Sequence, residues 1–147
     1  MKVGSAMAAA TDHAGLVVLS FDECLELIAS SGVGRVAFLA DGEIEVLPVN
    51  YTVEGARIAF RTATGSKLEA AVEQAVVAFE VDAYSESERS GWSVVIKGRV
   101  EVVTDRNVIA RLELSGLKPY ATAVPKPEWV VVHPNTITGR KVPQQVK

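Results

Sequence analysis

Between residues 33 and 63 apolar and polar side chains alternate with a period of two, and two short glycine-bearing breaks interrupt the alternation. VGRVAFLA (33–40), EIEVLPVNYTV (43–53) and RIAFRTA (57–63) therefore read as strands. Asp41-Gly42 and Glu54-Gly55 read as hairpin turns, because glycine admits the positive φ such turns need. Together they predict a three-stranded antiparallel meander. Two later runs carry the same signature, VVAFEVD (76–82) and WSVVIKGRVEVV (92–103), with the polar stretch YSESERSG (84–91) as their connection. Gly98 inside the second run predicts a bulge or a close approach of two backbones. WVVVHP (129–134) is the last predicted strand and leads into NTITGRKV.

Helical periodicity is confined to short segments. Ser20 followed by Glu23 is a capping pair, after which Phe21, Cys24, Leu25 and Ile28 recur at i, i+3, i+4 and i+7, with Gly32 and Gly34 ending the helix. Leu68, Ala71, Val72 and Ala75 repeat the spacing, and Asp105 to Leu114 makes a third helix. Six short strands with only small helices between them predict a mainly β protein, a closed antiparallel barrel rather than a βαβ sheet. The 147 residues suit one domain, residues 19–147, preceded by a flexible N-terminal tail over 1–18.

Composition narrows the chemistry. A net charge of −3 lacks the basic face that a general nucleic-acid binder needs, so any anion must be held locally. A single cysteine, Cys24, excludes an intrachain disulfide and a multi-cysteine metal site and fits a reducing, cytoplasmic setting. Its place on the apolar side of the first helix reads as core. His13 and His133 are the only histidines, too few for a zinc site, and no metal is assigned. No run approaches the roughly 18 to 20 apolar residues that span a bilayer, and MKVGSAMAAATDHAG is too weakly apolar for a signal-peptide core. The pairs Glu43/Glu45 and Glu86/Glu88 read as solvated faces.

Candidate chemistry concentrates in FRTATGSKLEA (60–70), a strand that runs through a glycine into a helix. Alternation puts Ile58, Phe60 and Thr62 on one face and Ala59, Arg61 and Ala63 on the other, so Arg61 and Thr62 point apart. Ser66 and Lys67 stand at the helix start, where free amides, a hydroxyl and an ammonium converge on an anion, or where Ser66 caps the helix and Lys67 is solvated.

With VLPVNY, FRTATGSKLEA, VAFEVD, GWSVVIKGRVEVV and ITGRK in this order and spacing, the chain from Leu19 to Val142 resembles the pyridoxamine 5′-phosphate oxidase-like proteins of the FMN-binding split-barrel superfamily. The resemblance implies a six-stranded antiparallel split β-barrel of Greek-key type, flanked by short helices, that forms a homodimer with flavin sites at the subunit interface. It implies that Pro48, Val49, Asn50 and Tyr51 run beside the isoalloxazine ring and that Arg61, Thr62, Ser66 and Lys67 hold the phosphate. It further implies that Trp92 and Ser93 reach the flavin from one of the two subunits. Trp92 is equally suited to the core, and Ser93 faces the other way.

The expected activity is flavin-mediated hydride or electron transfer to or from a small molecule, with no catalytic side chain assigned. The expected cofactor is FMN. The 8-hydroxy-5-deazaflavin coenzyme, used by related split barrels, is the alternative, as is a non-catalytic flavin- or haem-binding role. The arginine-x-histidine segment of authentic pyridoxamine phosphate oxidases is missing from ITGRKVPQQVK, which argues against that reaction. No nucleic-acid or membrane partner is expected.

Overall fold

The turn at Asp41-Gly42 sets the sheet going. Asp41 (φ 51°) and Gly42 (φ 79°) both take the left-handed conformation, the backbone of a two-residue hairpin whose twist matches its strands. In the computed structural model, which describes residues 10–72, 76–120 and 123–143, this turn joins β2 (Val33–Ala40) to β3 (Glu43–Glu54), paired from Val33↔Asn50 to Ala40↔Glu43. Gly55 (φ 63°) then turns β3 into β4 (Arg57–Thr62).

The remaining strands are β1 (Val17–Val18), β5 (Val76–Ser85), β6 (Ser90–Val102) and β7 (Glu128–Lys141). The order β7-β4-β3-β2-β5-β6 returns on itself through β6–β7 pairing, which gives a closed antiparallel barrel of six strands with β1 added at one edge of β7. The expected barrel is present. Three helices flank it: α1 (Phe21–Ala29), α2 (Lys67–Val72) and α3 (Arg106–Glu113). Ser20 and Glu23 form the reciprocal capping pair expected for α1, and Asp105 caps α3. The expected extension of α2 to Ala75 lies outside the described residues.

Three expectations are corrected. YSESERSG is strand at both ends, because β5 runs to Ser85 and β6 starts at Ser90, and only Glu86 to Arg89 make the connecting turn. The last strand does not stop at Pro134 but continues to Lys141. Pro134 is tolerated because it falls opposite Gly98, where the β6–β7 register slips, so its missing N–H costs no ladder bond. Third, residues 10–18, placed by the sequence in the tail, are tied down: Val17 and Val18 pair with Lys141 and Arg140, and Asp12 bonds Arg140 at 2.7 Å. Residues 1–9 of that tail lie outside the described residues.

Inward-facing residues fill the barrel around Phe60, Phe79, Val36, Val94, Ile96 and Val130, with Cys24 and Ile28 of α1 closing one end. Burial pushes the Cys24 thiol pKa up, as suits a core residue. A second cluster, Ala59, Val103, Leu112, Trp129 and Val131, lies on the outside of the barrel under α3. No helix among the described residues is long and apolar enough to cross a membrane.

Candidate functional site

The barrel is split because β3 is twice as long as β4. Tyr51 to Glu54 pair with β4, whereas Glu43 to Asn50 have β2 on one edge and no strand on the other among the described residues. This half-strand presents backbone donors and acceptors and carries exposed Ile44 (77%) and Val46 (57%). Backbone groups left without a ladder are satisfied by water or by a ligand with a polar edge.

Of the four β3 candidates, Pro48, Val49 and Asn50 line a cleft of about 190 Å³ together with Val33, Arg61, Pro119, Tyr120 and Lys126. Asn50 Oδ1 accepts from the Tyr120 backbone N–H at 2.8 Å, which moors the loop after α3 over the cleft. Tyr51 does not join them. Its ring is buried against Phe79 at 5.2 Å, its hydroxyl donates to the Ile28 carbonyl, and burial pushes its pKa up to about 12. Its backbone is paired as well: it stands opposite Phe60 of β4, and its N–H donates to the Gly32 carbonyl at 3.1 Å.

Arg61 and Thr62 point apart, as alternation requires. Thr62 is buried beside the start of α2, and its Oγ1 lies 2.9 Å from Ser66 Oγ. Ser66 Oγ also accepts from the Glu69 N–H at 3.0 Å, so Ser66 caps α2. Glu69 in turn accepts from the Gly65 N–H at 2.7 Å, and Lys67 Nζ meets Glu45 of β3 at 3.0 Å, which raises the lysine pKa. Thr62, Ser66 and Lys67 thus surround one turn, already lined by two carboxylates. Arg61 belongs to the β3 cleft instead: its Nε donates to the Lys126 carbonyl at 2.9 Å and its guanidinium lies 5.4 Å from the Trp129 ring centroid.

Trp92 and Ser93 part as expected. Trp92 packs against the barrel core and lines a cleft between α1 and the β5–β6 hairpin, whereas Ser93 stands between Asp82 and Arg140 on the outer face. Within one chain they do not reach Asn50. β2 and β5 intervene, a separation of roughly 14 Å at the usual strand spacing.

On that outer face Arg35 bridges Glu80 at 3.2 Å and Asp82 at 3.0 Å. Burial first, then the Asp82 carboxyl beside it, push the Glu80 pKa up to about 7 against the pull of Arg35. A raised carboxyl pKa favours the fold below its unfolded value near 4.5, and that contribution is lost as pH rises through about 7. Urea unfolding at pH 5 and pH 8 should therefore show a larger loss of stability for the native chain than for Glu80→Gln. Equal losses would mean that Glu80 titrates as a solvated carboxylate.

Sequence reasoning missed Val33, Pro119, Tyr120 and Lys126. The loop holding the last three offered a signal, an aromatic and a cation between prolines in KPYATAVPKPE, but its return to β3 depends on the fold.

The family model for pyridoxamine 5′-phosphate oxidase matches residues 20–141. This chain belongs to the pyridoxamine 5′-phosphate oxidase-like family. Over 147 aligned residues, 97% of the chain and 95% of the relative, it is 32% identical to an uncharacterized protein of Mycobacterium tuberculosis. The structure of the FAD binding protein from Mycobacterium smegmatis is similar, with a TM-score of 0.71 and 33% identity, over 84% of this chain and 96% of that one. A conserved protein of unknown function from Corynebacterium diphtheriae matches with a TM-score of 0.68 and 28% identity, over 85% and 96% of the two chains. The overall fold is thus shared with these two structures.

Proposed function

We propose that the chain is a flavin-binding oxidoreductase that works as a homodimer. The observation that carries this reading is the half-paired β3 strand: Lys67 of the Thr62–Ser66–Lys67 turn reaches Glu45 on its open half, so that turn stands beside the open edge. Backbone groups of Pro48 to Asn50 meet the polar edge of the ring, and Thr62, Ser66 and Lys67 hold the phosphate. Lys67 is exposed, and an ion pair in water holds its partners weakly, so the lysine can leave Glu45 for a doubly charged phosphate.

The second subunit covers Ile44 and Val46 and brings its own Ser93 and Arg140 to the ring, which resolves the separation found within one chain. FMN is the proposed cofactor. The FAD of the M. smegmatis neighbour contains the same FMN unit, so that likeness supports a flavin without choosing between the two. When bound, a flavin supplies the hydride and electron chemistry, and the protein supplies position and electrostatics. Pyridoxamine phosphate is not the proposed substrate, since residues 138–147 hold no histidine.

The purified protein should be a yellow dimer by light scattering, with absorption near ~450 nm that bleaches on reduction, as a bound flavin requires. Chromatography of the heat-released cofactor then separates FMN from FAD and from a deazaflavin. A colourless protein that leaves the fluorescence of added FMN unquenched would overturn the proposal.

A further inference from the structure

Arg35 reaches both of its carboxylates with one nitrogen. Nη1 lies 3.2 Å from Glu80 and 3.0 Å from Asp82, while Nε and Nη2 make no hydrogen bond among the described residues. The side chain is half exposed on the outer face of the sheet, so most of the five donors of its guanidinium are unused. One arginine between two ionised carboxylates also leaves a surplus negative charge. Spare donors beside spare charge make the triad complementary to a second copy of itself.

The strand order fixes where that copy lies, given the homodimer proposed above, on which this inference rests. Neighbouring strands run β3-β2-β5-β6, and one row of outward residues crosses them as Pro48, Arg35, Glu80 and Val95. The same register sets Asn50, Val33, Asp82 and Ser93 in the next row. A two-fold contact is isologous and exchanges surfaces in pairs. Setting the partner's Ser93 across from Asn50 exchanges β6 with β3, so it also exchanges β5 with β2 and keeps the rows. Arg35 then lies on the partner's Glu80, with the partner's Asp82 one row away. The axis runs between β2 and β5, where Ala37 and Ala78 pair and are small enough for close approach. Barrel walls curve, so outer faces that touch along this line part again at β3 and β6, which leaves a gap for a flat ring on each side.

We propose that the homodimer is locked on its two-fold axis by Arg35, Glu80 and Asp82 of both protomers, each arginine bridging carboxylates of the two chains. Docking keeps the ratio of one arginine to two carboxylates and removes water, and burial disfavours a charged carboxylate. Glu80, whose pKa already stands at about 7 in the protomer, is pushed higher still. Its other charged neighbours do not offset this, since Lys97 lies a row away on β6 and Arg140 on β7 is held by Asp12. With a proton on each Glu80 the lock is neutral, two arginines against two carboxylates, and it weakens as pH rises through about 7 and above.

The test is an exchange of charge between two chains. Arg35→Glu makes the axis wholly acidic, and Glu80→Lys with Asp82→Lys makes it wholly basic. Each variant alone should dissociate roughly 100-fold more readily than the native dimer, and mixing them should restore a dimer with one chain of each kind, counted by native mass spectrometry. Mixing cannot repair a contact within one chain, so the restoration reads the cross-subunit contact alone. Should a variant not fold, dilution of the native protein reads the same lock: its dimer should be about 10-fold weaker at pH 8 than at pH 6. A native dimer whose variants stay dimeric, or are not rescued by mixing, or whose strength is the same at both pH values, would overturn the lock and leave the homodimer standing. A monomeric native chain would overturn both.

Discussion

Replacing Gly98 with alanine is expected to remove a large share of the stability of the fold. An added Cβ would lie 2.1 Å from the His133 carbonyl oxygen, 2.8 Å from its carbonyl carbon and 3.0 Å from Pro134 Cα. All three are backbone atoms, so no side chain can rotate away, and β6 and β7 must separate where they close the barrel. Ordinary overpacking costs about 1–3 kcal/mol. A clash with backbone on a closing strand belongs above that, about 4 kcal/mol or more, against a typical total of about 5–15 kcal/mol. Urea unfolding followed by circular dichroism measures the loss. A variant within about 1 kcal/mol of wild type would mean that the bulge can open without cost.

The paired substitution Ser66→Ala with Lys67→Ala is expected to weaken FMN by about 10- to 150-fold while changing riboflavin far less, because riboflavin lacks the phosphate that these side chains hold. Ser66 also caps α2 through the Glu69 N–H, so the variant will be somewhat less stable. The comparison of two ligands on one protein cancels that effect. Fluorescence titration of both flavins gives the ratio. Equal losses would leave the turn as a helix start and send the search for the phosphate site elsewhere.

Alternation and turn chemistry made most of the barrel legible. β2 and β3 came from a period of two bounded by Asp41-Gly42, and the opposed directions of Arg61 and Thr62 followed from the same period. Two features escaped because they are set across strands rather than along them. The continuation of β7 past Pro134 depends on Gly98, thirty-six residues earlier in the chain, supplying the irregularity that accommodates the proline. The fate of Tyr51 depends on Ile28 offering it a carbonyl from α1, which no local pattern encodes. In the candidate site, likewise, the split of residues 60–70 between two faces was visible in the alternation, but not that Arg61 joins a loop some sixty residues later.

The half-paired β3 strand has one more consequence, for solubility. An open edge with Ile44 and Val46 above it invites strand addition by any unfolded neighbour, the first step towards disordered aggregates. Three residues along that edge discourage it. Pro48 lacks the N–H that a new ladder would require, and Glu43 and Glu45 place negative charge where an incoming strand would lie. A chain that must keep this edge open for a specific occupant therefore carries its own protection against nonspecific ones. Pro48 should be judged as much by the precipitates it prevents as by the ring it faces.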